Sequence, residues 1–146
     1  MPIFYLLSAV VIGAAFAAQP AINGAAAKIL GSAFPVTVLS VAITLLASII
    51  VMIVGRTTPS LETMAQLPWW VVIGGLVGLL VVGGGTMIVP VTGVAVFFVC
   101  LIAGQLFGSV LLDHIGAFGL PVREIGTMRL LGILFTFCGV FLVRYG

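Results

Sequence analysis

From Thr63 to Leu112 the chain runs for 50 residues without a single Asp, Glu, Lys, Arg or His. One helix of that length would rise about 75 Å at roughly 1.5 Å per residue, against a bilayer hydrocarbon core of about 30 Å. Two membrane-crossing helices with a tight turn between them fit instead, and Pro90 marks the expected break. The first third of the chain has the same character: no charge precedes Lys28, and none lies between Lys28 and Arg56. With 63% hydrophobic and 5% charged residues and a mean hydropathy of +1.47, the chain lacks the polar skin of a soluble domain, which is about 25% charged. Lipid is its solvent, and in lipid each segment must pair its own backbone N–H and C=O groups.

The expected fold class is therefore an all-α integral membrane protein, a single transmembrane domain over residues 1–146 with five spans. These are expected at about 3–27, 34–54, 68–89, 91–112 and 127–143. Lys28, Arg56 and Arg144-Tyr145 stand at span ends. Pro68-Trp69-Trp70 opens the third span, with proline in a first turn and indoles at headgroup depth. Residues 55–67 and 113–125 read as loops, the second holding acids, bases, a proline and glycines. A cleaved signal peptide is disfavoured, because the apolar run from Leu6 lacks a positive leader and continues past any cleavage point. The net charge of +2 comes without a Lys/Arg cluster, so no nucleic-acid partner is expected. Cys100 and Cys138 sit in apolar runs and read as free, small hydrophobic residues. Gly74 with Gly78, Gly104 with Gly108, and Gly132 with Gly139 share helix faces and are expected to pack closely within the bundle.

Orientation is nearly undetermined by charge. Five spans put Arg56, Arg123 and Arg129 on one side and Lys28 and Arg144 on the other, three positives against two, so the positive-inside rule barely votes. Either a partner or one dominant loop sets insertion, or the protein inserts both ways and pairs with an inverted copy. The tie favours the second.

The polar residues inside the spans carry the functional reading. Gln19 and Asn23 are one helical turn apart on one face. Pro20 between them has no N–H and frees a carbonyl one turn earlier. Such a segment builds a polar pocket at membrane depth, or else its amides bond a neighbouring helix. Gln105, Ser109 and Asp113 form a second stripe at spacings of four. Ser40, Thr44 and Ser48 form a third, although hydroxyls of this kind often bond back to their own helix. Gln19, Asn23, Gln105, Ser109 and Trp69 are the candidate solute-binding residues. Asp113-His114, the only acid–imidazole pair, and Lys28 are the candidate gate, because imidazole changes charge near neutral pH and competes for a carboxylate. The bland alternative is that Asp113 and His114 are two solvated residues at a helix end. One histidine cannot complete a metal site. No nucleophile has a base in a recognisable motif, and Gly83-Gly84-Gly85 is no phosphate loop. No catalytic residue, metal or cofactor is expected.

Together the motifs Gln19-Pro-x-x-Asn23, Pro68-Trp69-Trp70 with Gly74-Gly75, Pro90-x-x-Gly93, Gly104-Gln105-Leu106, Asp113-His114-x-Gly116-x-Phe118-Gly119 and Arg129-x-x-Gly132 cover nearly the whole chain. In these the chain resembles the YdcZ-like family of small bacterial inner-membrane proteins, in the drug/metabolite transporter superfamily. The resemblance implies a multi-pass protein of the bacterial inner membrane. It also implies five helices that form half of a ten-helix transporter fold, completed by an inverted, antiparallel second copy or paralogue. It brings no catalytic residues and no particular solute. Small multidrug resistance proteins of the same superfamily couple protons through an acid in the first span, and here no acid precedes Glu62. The expected function is transport of a small neutral or zwitterionic solute by alternating access in an antiparallel homodimer, with lipid around it. A dual-topology channel and a non-transporting membrane scaffold are the alternatives.

Overall fold

The computed structural model describes residues 3–146, and among them five helices are long and apolar enough to cross a membrane. In chain order the helices are α1 (Ile3–Leu30), α2 (Ala33–Val54), a short α3 (Leu61–Ala65), α4 (Val71–Thr92), α5 (Val94–Ile115) and α6 (Thr127–Tyr145), with a 3-10 turn at Ala117–Gly119. The chain forms two compact units, one running to Val91 and one over Thr92–Gly146. In the first, α1 packs on α2; in the second, α5 packs on α6.

Local chemistry explains the boundaries, and several differ from the sequence expectation. Helix α1 outlasts Lys28 and ends at Leu30, before Gly31. A lysine in a last turn is favoured by the helix dipole rather than being a stop signal. Ser32 then caps α2, accepting from Phe34 N at 3.4 Å. Residues 55–67, expected as loop, contain α3, whose cap Ser60 accepts from Thr63 N at 3.2 Å with Glu62 in the first turn. Pro68-Trp69-Trp70 precedes α4 instead of starting it. Val71 N bonds Pro68 O at 3.1 Å and Ile73 N bonds Trp70 O at 3.0 Å, a tight turn that feeds the helix.

Pro90 does not break the third span. It lies inside the last turn of α4, where it forgoes one i→i−4 hydrogen bond, and the helix still continues to Thr92. The break is at Gly93, with φ 82° and ψ 160°, a region that is essentially glycine-only. Gly116 closes α5 at φ 61°, and a Cβ there would lie 2.7 Å from Val122 Cγ2.

Close approaches in the first unit occur at other glycines than the paired motifs suggested. A Cβ on Gly24 of α1 would sit 2.9 Å from Pro90 Cγ, and one on Gly83 of α4 would sit 3.6 Å from Thr37 Cγ2 of α2. Gly74, Gly78, Gly104, Gly108, Gly132 and Gly139 have no atom within 4 Å of such a Cβ. Spacing places these glycines on shared faces, but it does not say which face meets a neighbour within the chain. Few described side chains are sealed: Pro20, Val36, Val89, Ala103, Val110 and Ile133, with the polar Asn23, Thr37 and Thr86. Exposed Leu, Ile and Phe carry no penalty here, because lipid tails are as apolar as the side chains.

Candidate functional site

The polar centre of the first unit lies between α1 and α2. Gln19 and Asn23, one turn apart, both reach the same side chain on α2. Gln19 Nε2 donates to Ser40 Oγ at 3.4 Å, and Asn23 Nδ2 donates to that same oxygen at 3.3 Å. Pro20 and Asn23 are buried, with Asn23 only 7% exposed. The cluster borders an open groove of about 260 Å³, whose walls include Asn23 and Ala26 of α1 and Val36, Ser40, Ile43 and Thr44 of α2. Among the described residues, no titratable side chain lines it.

A second groove of about 280 Å³ lies on another side of α1, where Ala21, Gly24, Ala25 and Lys28 meet Val89 and Pro90 of α4. The Gly24–Pro90 approach forms its floor, and Lys28 is exposed along it. A third and larger groove, about 560 Å³, follows α2 past Thr44 and Ser48 to Thr57. The hydroxyls of Thr44 and Ser48 bond back to Ser40 O at 3.0 Å and Thr44 O at 2.8 Å, as expected of this stripe.

In the second unit one residue, Asp113, ties the end of α5 to the segment leading into α6. Asp113 O accepts from Arg123 N at 2.9 Å, which closes the connecting segment. The Asp113 carboxylate accepts from Arg129 Nη1 at 3.4 Å, an ion pair whose side chains are 34% and 36% exposed. A pair so long and so wet contributes about 0–1 kcal/mol. His114, in the last turn of α5, is exposed. Ser109 donates to Leu106 O at 2.8 Å. Gln105 is exposed, and its amide has no hydrogen-bond partner among the described residues.

Of the residues singled out in sequence, the structure brings Gln19 and Asn23 together around Ser40. It sets Lys28 in a separate groove and leaves Gln105 and Ser109 on an exposed face of α5. Trp69 is 78% exposed in the turn before α4. Two partners were not anticipated. Ser40 belongs to a stripe of similar hydroxyls, and spacing alone cannot say which of them faces α1. Arg129 stands 16 residues after Asp113, and only its place in the first turn of α6, just beyond a short connection, hinted at the pairing. Among the described residues no three His, Cys, Asp or Glu cluster as a metal site, and the cysteines are free.

Residues 4–142 match the family described as "Putative inner membrane exporter, YdcZ". No curated protein and no solved structure matches the chain.

Proposed function

Because this chain belongs to the YdcZ family of inner-membrane exporters, a drug/metabolite transporter family whose match spans residues 4–142, we propose that it exports a small neutral or zwitterionic solute by alternating access, as an antiparallel dimer. It is a multi-pass protein of the inner membrane. The observation that carries the finer reading is that uncharged polar groups at membrane depth open outward in both units: the Gln19–Asn23–Ser40 groove in the first and the unpartnered Gln105 in the second. An amide left to hydrocarbon loses about 2–7 kcal/mol, so such groups face a cavity or another helix.

An inverted second copy supplies that surface. Gln19 lies past the middle of α1 toward its Lys28 end, and Gln105 lies at the middle of α5, with Ser109 one turn nearer the Asp113 end. Inversion brings Gln105 and Ser109 of one copy to the depth of Gln19 and Asn23 of the other, with amides from both lining one midplane site, as inverted repeats do. The open faces at Gly74, Gly78, Gly104 and Gly108 allow the close helix approach that this needs. Trp69 belongs to the rim of that cavity. Lys28 of one copy then shares a membrane face with Asp113 and His114 of the other. Asp113 exchanges between Arg129 of its own chain and Lys28 of the second copy as the two sides alternate, and the His114 imidazole modulates that exchange. Each ion pair is weak, which suits two states of similar energy.

Reconstitution in liposomes tests this reading. A solute found by thermal stabilisation of the purified protein is expected to show saturable flux and counterflow. A fast, non-saturating conductance would make the protein a channel, and binding partners without flux would make it a scaffold.

A further inference from the structure

Inside the long helices, hydroxyls bond back to carbonyls of their own helix. Thr37 reaches Ala33 O at 3.0 Å, Thr44 reaches Ser40 O at 3.0 Å, Thr86 reaches Val82 O at 2.8 Å and Thr136 reaches Gly132 O at 2.8 Å. Ser40 departs from this pattern. Its oxygen takes the amides of Gln19 and Asn23, and among the described residues its own proton has no acceptor. Two carboxamides and a hydroxyl together carry five polar protons and six lone pairs. The two hydrogen bonds that join them, both donated by amide nitrogens to the Ser40 oxygen, use two of each. Three protons and four lone pairs are left over. Asn23 is 7% exposed, and no described polar atom is sealed away unpaired, so its free valences open onto the groove that it lines with Ser40.

We propose that the Gln19–Asn23–Ser40 cluster is the specificity site for an uncharged solute whose polar head both donates and accepts hydrogen bonds, such as a carboxamide or alcohol, with an apolar body along Ala26, Val36 and Ile43. This rests on the reading of that groove as the solute site, and narrows it by excluding ions and zwitterions from this end. Among the described residues the groove has no counter-charge, so a carboxylate or ammonium entering it would lose its hydration unpaired. Lys28 lines the other side of α1 and does not supply one. A neutral head exchanges its water hydrogen bonds for the cluster's free protons and lone pairs. Ser40 supplies a hydroxyl held in place by two amides, which makes it a positioning and binding residue together.

Asn23 is the sole asparagine in the chain, so protein labelled with 15N-asparagine carries one side-chain amide signal. The labelled protein in lipid bilayers is titrated with hexanamide, hexanoate and hexylammonium at neutral pH. Hexanamide is expected to move the Asn23 signal saturably, while the two charged homologues leave it in place. Ser40→Ala should weaken the hexanamide response about 10-fold, the equivalent of about 1.4 kcal/mol, and Ser40→Thr, which keeps the hydroxyl, should stay near the parent. The proposal is overturned if hexanamide leaves the signal unmoved, if a charged homologue moves it equally, or if Ser40→Ala responds as the parent does. Saturable Asn23 binding without flux in liposomes would sink the transport reading and keep this site. Flux of a solute that never perturbs Asn23 would do the reverse.

Discussion

Asn23 and Gln19 each hold Ser40 through a long hydrogen bond, at 3.3 and 3.4 Å, so neither contributes much to folding. Hydrogen bonds between membrane helices average about 0.6 kcal/mol. Asn23→Ala and Gln19→Ala are therefore expected to cost less than about 1 kcal/mol of stability, while solute flux falls at least about 10-fold, a loss of about 1.4 kcal/mol of binding. Paired unfolding and flux measurements check this, and two variants that transport normally would move the solute site elsewhere. Gly24 is the opposite case. Its missing Cβ lets the rigid Pro90 ring approach to 2.9 Å of where that atom would be, so Gly24→Ala should destabilise by about 1–3 kcal/mol through overpacking. At Asp113 the expectation is modest. A double-mutant cycle of Asp113→Asn with Arg129→Gln should give a coupling of no more than about 1 kcal/mol in stability, because both side chains are about one-third exposed. If Asp113 gates, Asp113→Asn and Lys28→Gln should alter flux alike, and the double variant should be little worse than either.

The elements themselves were largely legible, because a span is a length of uncharged sequence and five such lengths are visible by eye. What sequence could not assign was the punctuation between two helices with no polar loop. Pro90 and Gly93 are both breakers by type, three residues apart. Their roles separate only on the backbone: Pro90 costs α4 one i→i−4 hydrogen bond yet leaves the helix running on to Thr92, whereas Gly93 holds a φ of 82° with a ψ of 160°. Gly93→Ala is accordingly expected to cost about 1–3 kcal/mol, and Pro90→Ala clearly less. Thermal unfolding of the two variants in the same detergent decides, and the reverse order would return the break to Pro90. The candidate cluster was legible in part for the same reason. Gln19 and Asn23 stand out as amides in an apolar run, whereas Ser40 hides among equivalent hydroxyls and is selected only by the face that α2 turns toward α1. Paired glycines misled because a face of small residues fits a neighbour in the chain and a neighbour outside it equally well.

At the scale of the whole molecule, an odd number of spans leaves the termini on opposite sides of the membrane, and the positives divide three to two. With so small a bias, the proposed antiparallel pair predicts insertion in both directions, each orientation then supplying the partner for the other. In a variant whose exposed free cysteines Cys100 and Cys138 are replaced, a single cysteine placed at either terminus should react with impermeant reagent from both faces. Loop lysines act on insertion through the positive-inside rule, so two lysines beside Arg144 should hold the C-terminus on the cytoplasmic side. Two lysines beside Arg56 should hold the opposite orientation. Each variant alone then lacks an inverted partner and should lose flux. Expressed together they should recover it, because one supplies Gln19 and Asn23 at the depth where the other supplies Gln105 and Ser109. Stability of the separate chains cannot produce this pattern, since both variants carry the same spans and differ only in loop charge. Should each variant transport alone, one orientation suffices, the antiparallel pair is wrong, and the outward-facing Gln105 must find its partner in a copy of the same orientation.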